Sequence, residues 1–107
     1  LIITGGLNVY PKEIETVIDQ NSSVEESAVV GVYHPDFGEG ILAIIVEKKG
    51  HSVNIDILNE VLRKNLATFK LPKKIHVIKE LPRNSMGKVQ KNVLRESYKD
   101  QFSDSNK

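Results

Sequence analysis

Two apolar runs of strand length constrain the fold of this chain more than any other feature. The first extends from Ser27 to Tyr33 and the second from Ile41 to Glu47, and both are rich in β-branched residues. The seven residues that separate them are mostly turn formers, so the runs are predicted to be adjacent antiparallel strands. Because the first run contains small and β-branched residues and few charges, we expect that strand to be covered on both faces.

Helical periodicity flanks these strands. Pro11 suits the first position of a helix that ends near Gln20. Asn54 is a plausible N-cap for a second helix, and a third begins at Lys91. The apolar faces predicted for these three helices consist of Ile14, Val17 and Ile18; of Leu58, Val61, Leu62 and Leu66; and of Leu94, Tyr98 and Phe102.

A third strand is predicted from Ile75 to Ile78, where flanking lysines are typical of a sheet edge. The fold class is therefore α+β, a small mixed sheet of about three strands packed with about three helices. At 107 residues the chain is long enough for one domain. We expect that domain to cover residues 1–100, and residues 101–107 to form a frayed polar tail. The apolar start, Leu1 to Ile3, looks like the end of a strand, which suggests a domain cut from a longer protein.

Composition excludes several kinds of chemistry. The chain has no cysteine, so disulfides, thiolate nucleophiles and zinc sites with sulfur ligands are excluded. The three histidines are far apart in the sequence, and we expect no metal site. No apolar run approaches the length of a membrane span. Aromatic residues are too sparse among the basic ones to indicate nucleic-acid binding.

Charge is distributed unevenly along the chain. Residues 1–47 contain one basic and eight acidic residues, whereas residues 48–99 contain thirteen basic and four acidic ones. Solvated helix faces and turns would account for most of these lysines. The alternative is an anionic, phosphate-bearing ligand that approaches the segment from Lys70 to Lys99.

Two glycine-containing segments are candidates for function. In the segment from Pro82 to Lys88, Gly87 can adopt positive φ while Lys88 projects a point charge. The segment is not a P-loop, because it lacks the first glycine and the Ser or Thr after the lysine. A solvated hairpin with an incidental lysine is the alternative. The second segment, from Thr4 to Tyr10, has two glycines that predict either an anion-binding nest or a strand-to-helix turn.

In combination, four motifs resemble the C-terminal domain of adenylate-forming acyl-CoA synthetases. They are Gly5-Gly6-Leu7-Asn8-Val9-Tyr10-Pro11 followed by Glu13-Ile14-Glu15, Ala28-Val29-Val30-Gly31-Val32 with its His-Pro-Asp loop, Phe69-Lys70-Leu71-Pro72, and Leu81-Pro82-Arg83-Asn84-Ser85-Met86-Gly87-Lys88. The resemblance extends in order from Leu1 to about Tyr98. Within the superfamily, the chain is most similar to the malonyl-CoA and fatty-acyl-CoA synthetases.

The resemblance implies a two-step ligase in which a carboxylic acid and ATP give an acyl-adenylate, and coenzyme A then displaces AMP. A large N-terminal domain, absent here, would bind ATP, Mg²⁺ and the acyl group. The small domain would act as a lid that presents different faces in the two steps. Lys88 matches the lysine that enters the active site for adenylation. A cytoplasmic location is expected.

For thioester formation, the resemblance points to the segment from Gly5 to Val9, which lines the pantetheine tunnel in related enzymes. Gly6 and Leu7 match positions whose backbone approaches coenzyme A. Asn8 matches a polar residue that faces the nucleotide, where relatives often have the longer Gln or Arg. Two other functions remain open: an adenylation domain that loads a carrier protein, and a free-standing module that binds a phosphate ligand or a protein.

Overall fold

A computed structural model describes residues 1–103, which form two sheets and three α-helices. The predicted frayed tail falls partly on residues 104–107, which lie outside the described residues, and the domain boundary at residue 100 stays a prediction. In chain order the elements are β1 (Ile2–Thr4), β2 (Leu7–Val9), α1 (Pro11–Asp19), β3 (Val24–His34), β4 (Gly38–Glu47), α2 (Ile55–Asn65), a 3₁₀ turn (Thr68–Lys70), β5 (Lys74–Ile78) and α3 (Lys91–Ser97).

The larger sheet has the strand order β3-β4-β5 and confirms the predicted α+β class. Strands β3 and β4 are antiparallel as predicted, and β5 is a parallel edge strand, which makes the sheet mixed. The connection between β3 and β4 is shorter than the predicted seven residues, because pairing continues to His34 and Gly38. Backbone pairing does not need apolar side chains, so the ladder extends through residues that the hydrophobic pattern assigns to a loop.

Both faces of this sheet are covered. Successive residues of β4 point to opposite sides: Ile41, Ala43 and Ile45 lie in a core with α1 and α2, whereas Leu42, Ile44 and Val46 lie in a core with Leu81 and with Leu94 of α3. Strand β3 divides its side chains between the same two cores, which confirms that it is covered on both faces. The sheet therefore separates the chain into an α1/α2 side and an α3 side.

The first residues form a β-hairpin that the sequence analysis did not predict. Strand β1 pairs with β2, and Gly5 and Gly6 form the two-residue loop with φ angles of 57° and 82°. Two positive φ angles are typical of a type I′ hairpin turn, for which Gly-Gly is a favoured pair. The predicted strand-to-helix turn is wrong, because the two glycines join two strands. The predicted anion nest is also wrong, since the Gly5 N–H donates to the Phe37 carbonyl at 2.8 Å.

The predicted helices are present. Asn54 caps α2 as predicted, with its Oδ1 accepting a hydrogen bond from the Ile57 N–H at 3.1 Å. Helix α3 buries Leu94, and Tyr98 and Phe102 pack against the same core from beyond the last residue of the helix. Among residues 1–103, no helix combines the length and the apolar character that crossing a bilayer requires.

Replacement of Ile44 by alanine is expected to destabilise the chain strongly. The Ile44 side chain is 0% exposed in the α3-side core, and the loss of such a side chain typically costs about 2–5 kcal/mol. Ile57 is 52% exposed on α2 and provides the matched control, for which the same substitution should change stability by less than about 0.5 kcal/mol. Urea unfolding of the chain measures both, and equal losses would contradict the assignment of the core.

Candidate functional site

Lys88 lies at the end of a short loop whose backbone is held by Asn84. The Asn84 side-chain oxygen accepts hydrogen bonds from the backbone N–H groups of Met86, at 2.9 Å, and Lys88, at 3.0 Å. The Asn84 N–H donates in turn to the Lys88 carbonyl at 3.0 Å. Gly87 has a φ of 84°, a conformation that residues with a side chain rarely adopt. The loop is therefore tightly hydrogen-bonded although all of its residues from Arg83 to Lys88 are exposed.

The Lys88 ammonium group is available to a ligand from outside the domain. Lys88 is exposed, and within residues 1–103 no carboxylate lies within ion-pair distance of its Nζ atom. Other lysines in the same part of the chain are paired, for example Lys70 with Glu13 at 2.9 Å and Lys91 with Glu15 at 2.7 Å. An unpaired cation on an ordered loop is suited to stabilise negative charge on a bound group.

The hairpin loop presents Gly6, Leu7 and Asn8 at the surface. All three residues are exposed, and Asn8 pairs with Ile3 on the outer side of the hairpin. A Cβ atom at Gly6 would meet no other atom of the domain within 4 Å. An open backbone surface of this kind allows an elongated ligand or another domain to approach closely.

A cavity of about 530 Å³ opens beside the hairpin. Gly5 and Leu7 form one side of it, and Phe37, Phe69 and Lys73 contribute to the others. The Lys73 ammonium lies 4.3 Å from the centre of the Phe37 ring, within the range of a cation–π contact. Aromatic walls with a nearby cation fit a ligand that has both a flat apolar part and negative charge. Sequence reasoning missed Phe37 and Lys73 as members of this site, because they are distant from the hairpin along the chain.

The loop of Lys88 and the glycine hairpin lie at opposite ends of the larger sheet. Arg83, the first residue of the loop of Lys88, contacts Glu26 near the start of β3. Gly5 contacts Phe37 in the turn that follows β3. Glu26 and His34 are eight residues apart on one strand, a separation of about 26 Å at about 3.3 Å per residue.

The two segments also pack on opposite faces of the sheet. Ile2 and Val9 of the hairpin belong to the α1/α2-side core. Leu81 and Val89, which flank the loop of Lys88, belong to the α3-side core. The structure thus does not bring Lys88 together with Gly6, Leu7 and Asn8. Within the described residues, no three His, Asp or Glu side chains come together in a way that could hold a metal ion.

Comparison with known proteins identifies the family. Residues 13–88 match the AMP-binding enzyme C-terminal domain family. The chain is 43% identical over 98 residues to a 2-succinylbenzoate–CoA ligase of Listeria innocua and 44% identical over 98 residues to the long-chain-fatty-acid–CoA ligase FadD13 of Mycobacterium tuberculosis. Each alignment covers 92% of this chain, and 21% and 19% of the respective relative.

The fold agrees with the sequence comparison. The crystal structure of apo MatB from Rhodopseudomonas palustris superposes with a TM-score of 0.92 at 56% identity, over 96% of this chain and 21% of MatB. The chain belongs to the family of AMP-binding enzyme C-terminal domains, and it spans about a fifth of the length of the curated relatives it matches. The predicted resemblance to the C-terminal domain of adenylate-forming acyl-CoA synthetases is confirmed.

Proposed function

We propose that this chain is the mobile lid of an ATP-dependent acid–CoA ligase and that it uses its two ends in two successive reactions. The observation that carries the proposal is that an unpaired lysine and an open glycine hairpin lie at opposite ends and on opposite faces of one sheet. A domain that turns relative to a larger body can present either end to the same active site. Neither end alone encloses a site, so the partner is the N-terminal adenylation domain of the same protein.

In the first reaction, Lys88 supports adenylation. An oxygen of the substrate carboxylate attacks the α-phosphorus of ATP, the bond from that phosphorus to the bridging oxygen breaks, and pyrophosphate leaves. Negative charge builds up on the oxygens around the α-phosphorus, and the Lys88 ammonium stabilises it without needing to transfer a proton. Mg²⁺ would be held by the N-terminal domain.

In the second reaction, the hairpin guides coenzyme A. The thiol of coenzyme A loses its proton to solvent and its sulfur attacks the acyl carbonyl carbon of the adenylate. The bond from that carbon to the phosphate oxygen breaks, and AMP leaves. Gly6 and Leu7 would contribute backbone to the wall of the pantetheine tunnel, and Asn8 would face the nucleotide part. The adjacent cavity supports this role, since Phe37, Phe69 and Lys73 offer a flat apolar surface and a cation to an adenine nucleotide.

The acid is selected by the N-terminal domain, so its identity is a separate proposal. The sequence resemblance to malonyl-CoA synthetases makes malonate the first acid to test, with fatty acids as the second. The same assays would reveal an enzyme that loads a carrier protein in place of coenzyme A. In that case the acyl-adenylate would form, but coenzyme A would not release AMP from it. A cytoplasmic location remains a prediction.

The isolated chain is expected to bind ATP and coenzyme A weakly or not at all. The reason is that each ligand would be enclosed only when the N-terminal domain supplies the rest of the site. Isothermal titration of the chain with each compound measures this directly. Clear saturation at micromolar concentration would instead favour a free-standing module that binds phosphate ligands.

A further inference from the structure

Arg83 connects the loop of Lys88 to the sheet through two separate contacts. Its Nη1 atom donates a hydrogen bond to the Gly87 carbonyl at 2.8 Å. Its Nη2 atom forms an ion pair with the Glu26 carboxylate on β3. Glu26 is 57 residues away from Arg83 in the sequence, so the contact joins two distant parts of the chain.

These contacts hold the peptide unit that precedes the Lys88 side chain. The Gly87 carbonyl and the Lys88 N–H belong to the same planar peptide group. Arg83 binds the carbonyl end of that group, and the Asn84 side-chain oxygen binds the N–H end at 3.0 Å. The fixed plane sets the N–Cα bond of Lys88, and the hydrogen bond from the Asn84 N–H to the Lys88 carbonyl at 3.0 Å restrains rotation about that bond. Together these contacts set the direction in which the Lys88 side chain leaves the backbone.

Stability alone does not account for the ion pair. The side chain of Arg83 is 42% exposed and that of Glu26 is 29% exposed, and ion pairs as exposed as this add little to stability. The geometry instead suits a positioning role, because a guanidinium group offers several donors in one rigid plane. A lysine at position 83 would keep the charge, but it lacks the planar fork of two nitrogens that makes the two contacts here.

We infer that Arg83 and Glu26 are positioning residues that aim Lys88 during adenylation. This inference rests on the proposed function of Lys88. It predicts that loss of either contact slows adenylation through Lys88. Thioester formation, which is assigned to the hairpin at the other end of the sheet, should keep its rate.

The test uses the full-length enzyme with separate assays of the two half-reactions. Arg83→Lys is expected to lower the kcat of adenylation about tenfold, the size of effect that follows from loss of one charge-assisted hydrogen bond. The KM for ATP, the rate of thioester formation from supplied acyl-adenylate, and the Tm should stay close to those of the parent enzyme. Glu26→Gln should lower the same kcat less, because Arg83 keeps its bond to Gly87. Arg63→Lys on α2 is the matched control and should change neither half-reaction.

A second readout separates positioning from a structural effect. In an enzyme that already has Lys88→Ala, the further change Arg83→Lys should slow adenylation no more, since no lysine remains to be aimed. An additional tenfold loss in that background, or equal losses in both half-reactions, would overturn the inference. Full adenylation activity in both Arg83→Lys and Glu26→Gln would overturn it as well, while leaving the proposed function intact if Lys88→Ala slows adenylation by about 10²–10³-fold. If Lys88→Ala itself adenylates normally, the proposed function fails and the inference fails with it.

Discussion

Replacement of Lys88 by alanine in the full-length enzyme is expected to slow adenylation by about 10²–10³-fold. Removal of one preorganised group that stabilises developing negative charge typically costs about 2.7–4 kcal/mol of activation free energy, which corresponds to this factor. Because Lys88 makes no ion pair within residues 1–103, its removal breaks no salt bridge of the fold that is described here. Pyrophosphate release in a single turnover measures the step.

The same variant should form thioester at nearly the parent rate when acyl-adenylate is supplied. Lys64, an exposed lysine on α2 on the other side of the sheet, provides the matched control, and Lys64→Ala should leave both half-reactions unchanged. If Lys88→Ala slows both half-reactions to the same extent, Lys88 supports the structure of the lid and not the chemistry of adenylation.

Replacement of Gly6 by alanine is expected to slow thioester formation by about 10²-fold. The added methyl group meets no atom of this domain within 4 Å, so its effect falls on whatever approaches the hairpin from outside. A displacement of about 1 Å between reacting groups is enough for a loss of this size. Release of AMP from supplied acyl-adenylate and coenzyme A measures the step, and adenylation should change only slightly.

Backbone strain must be separated from this effect, and Gly50 makes that possible. Gly50 has a φ of 80°, close to the 82° of Gly6, and a Cβ atom there also meets nothing within 4 Å. Alanine at either position should destabilise the domain by about 1–2 kcal/mol, the cost of a left-handed backbone conformation. Only Gly6→Ala should slow thioester formation; an equal effect of Gly50→Ala would show that strain, and not contact with coenzyme A, is responsible.

Much of the fold could be predicted from the sequence because its signals are local. The β-branched runs of β3 and β4 identify two buried strands without reference to the rest of the chain. Asn54 marks the start of α2, and Leu94 marks the buried face of α3. Hydrophobic pattern and capping chemistry both act within a few residues, so one sequence is enough to interpret them.

The remaining features depend on contacts between distant residues. The hairpin was missed because Ile2 and Val9 become a core pair only when the chain folds onto α1 and β4, and the run before Gly5 is too short to indicate a pair of strands. Likewise, no local pattern in the sequence predicts the ion pair between Arg83 and Glu26. A role for Lys88 could be proposed only through resemblance to a family, since its loop alone is equally typical of a solvated turn.

The proposed lid serves two reactions with opposite ends of one sheet. Single-turnover rates of both half-reactions in Lys88→Ala, in Gly6→Ala and in the double variant test it most directly. The proposal predicts that Lys88→Ala loses adenylation, that Gly6→Ala loses thioester formation, and that only the double variant loses both. A single variant that slows both half-reactions equally, or two variants that slow the same one, would contradict it.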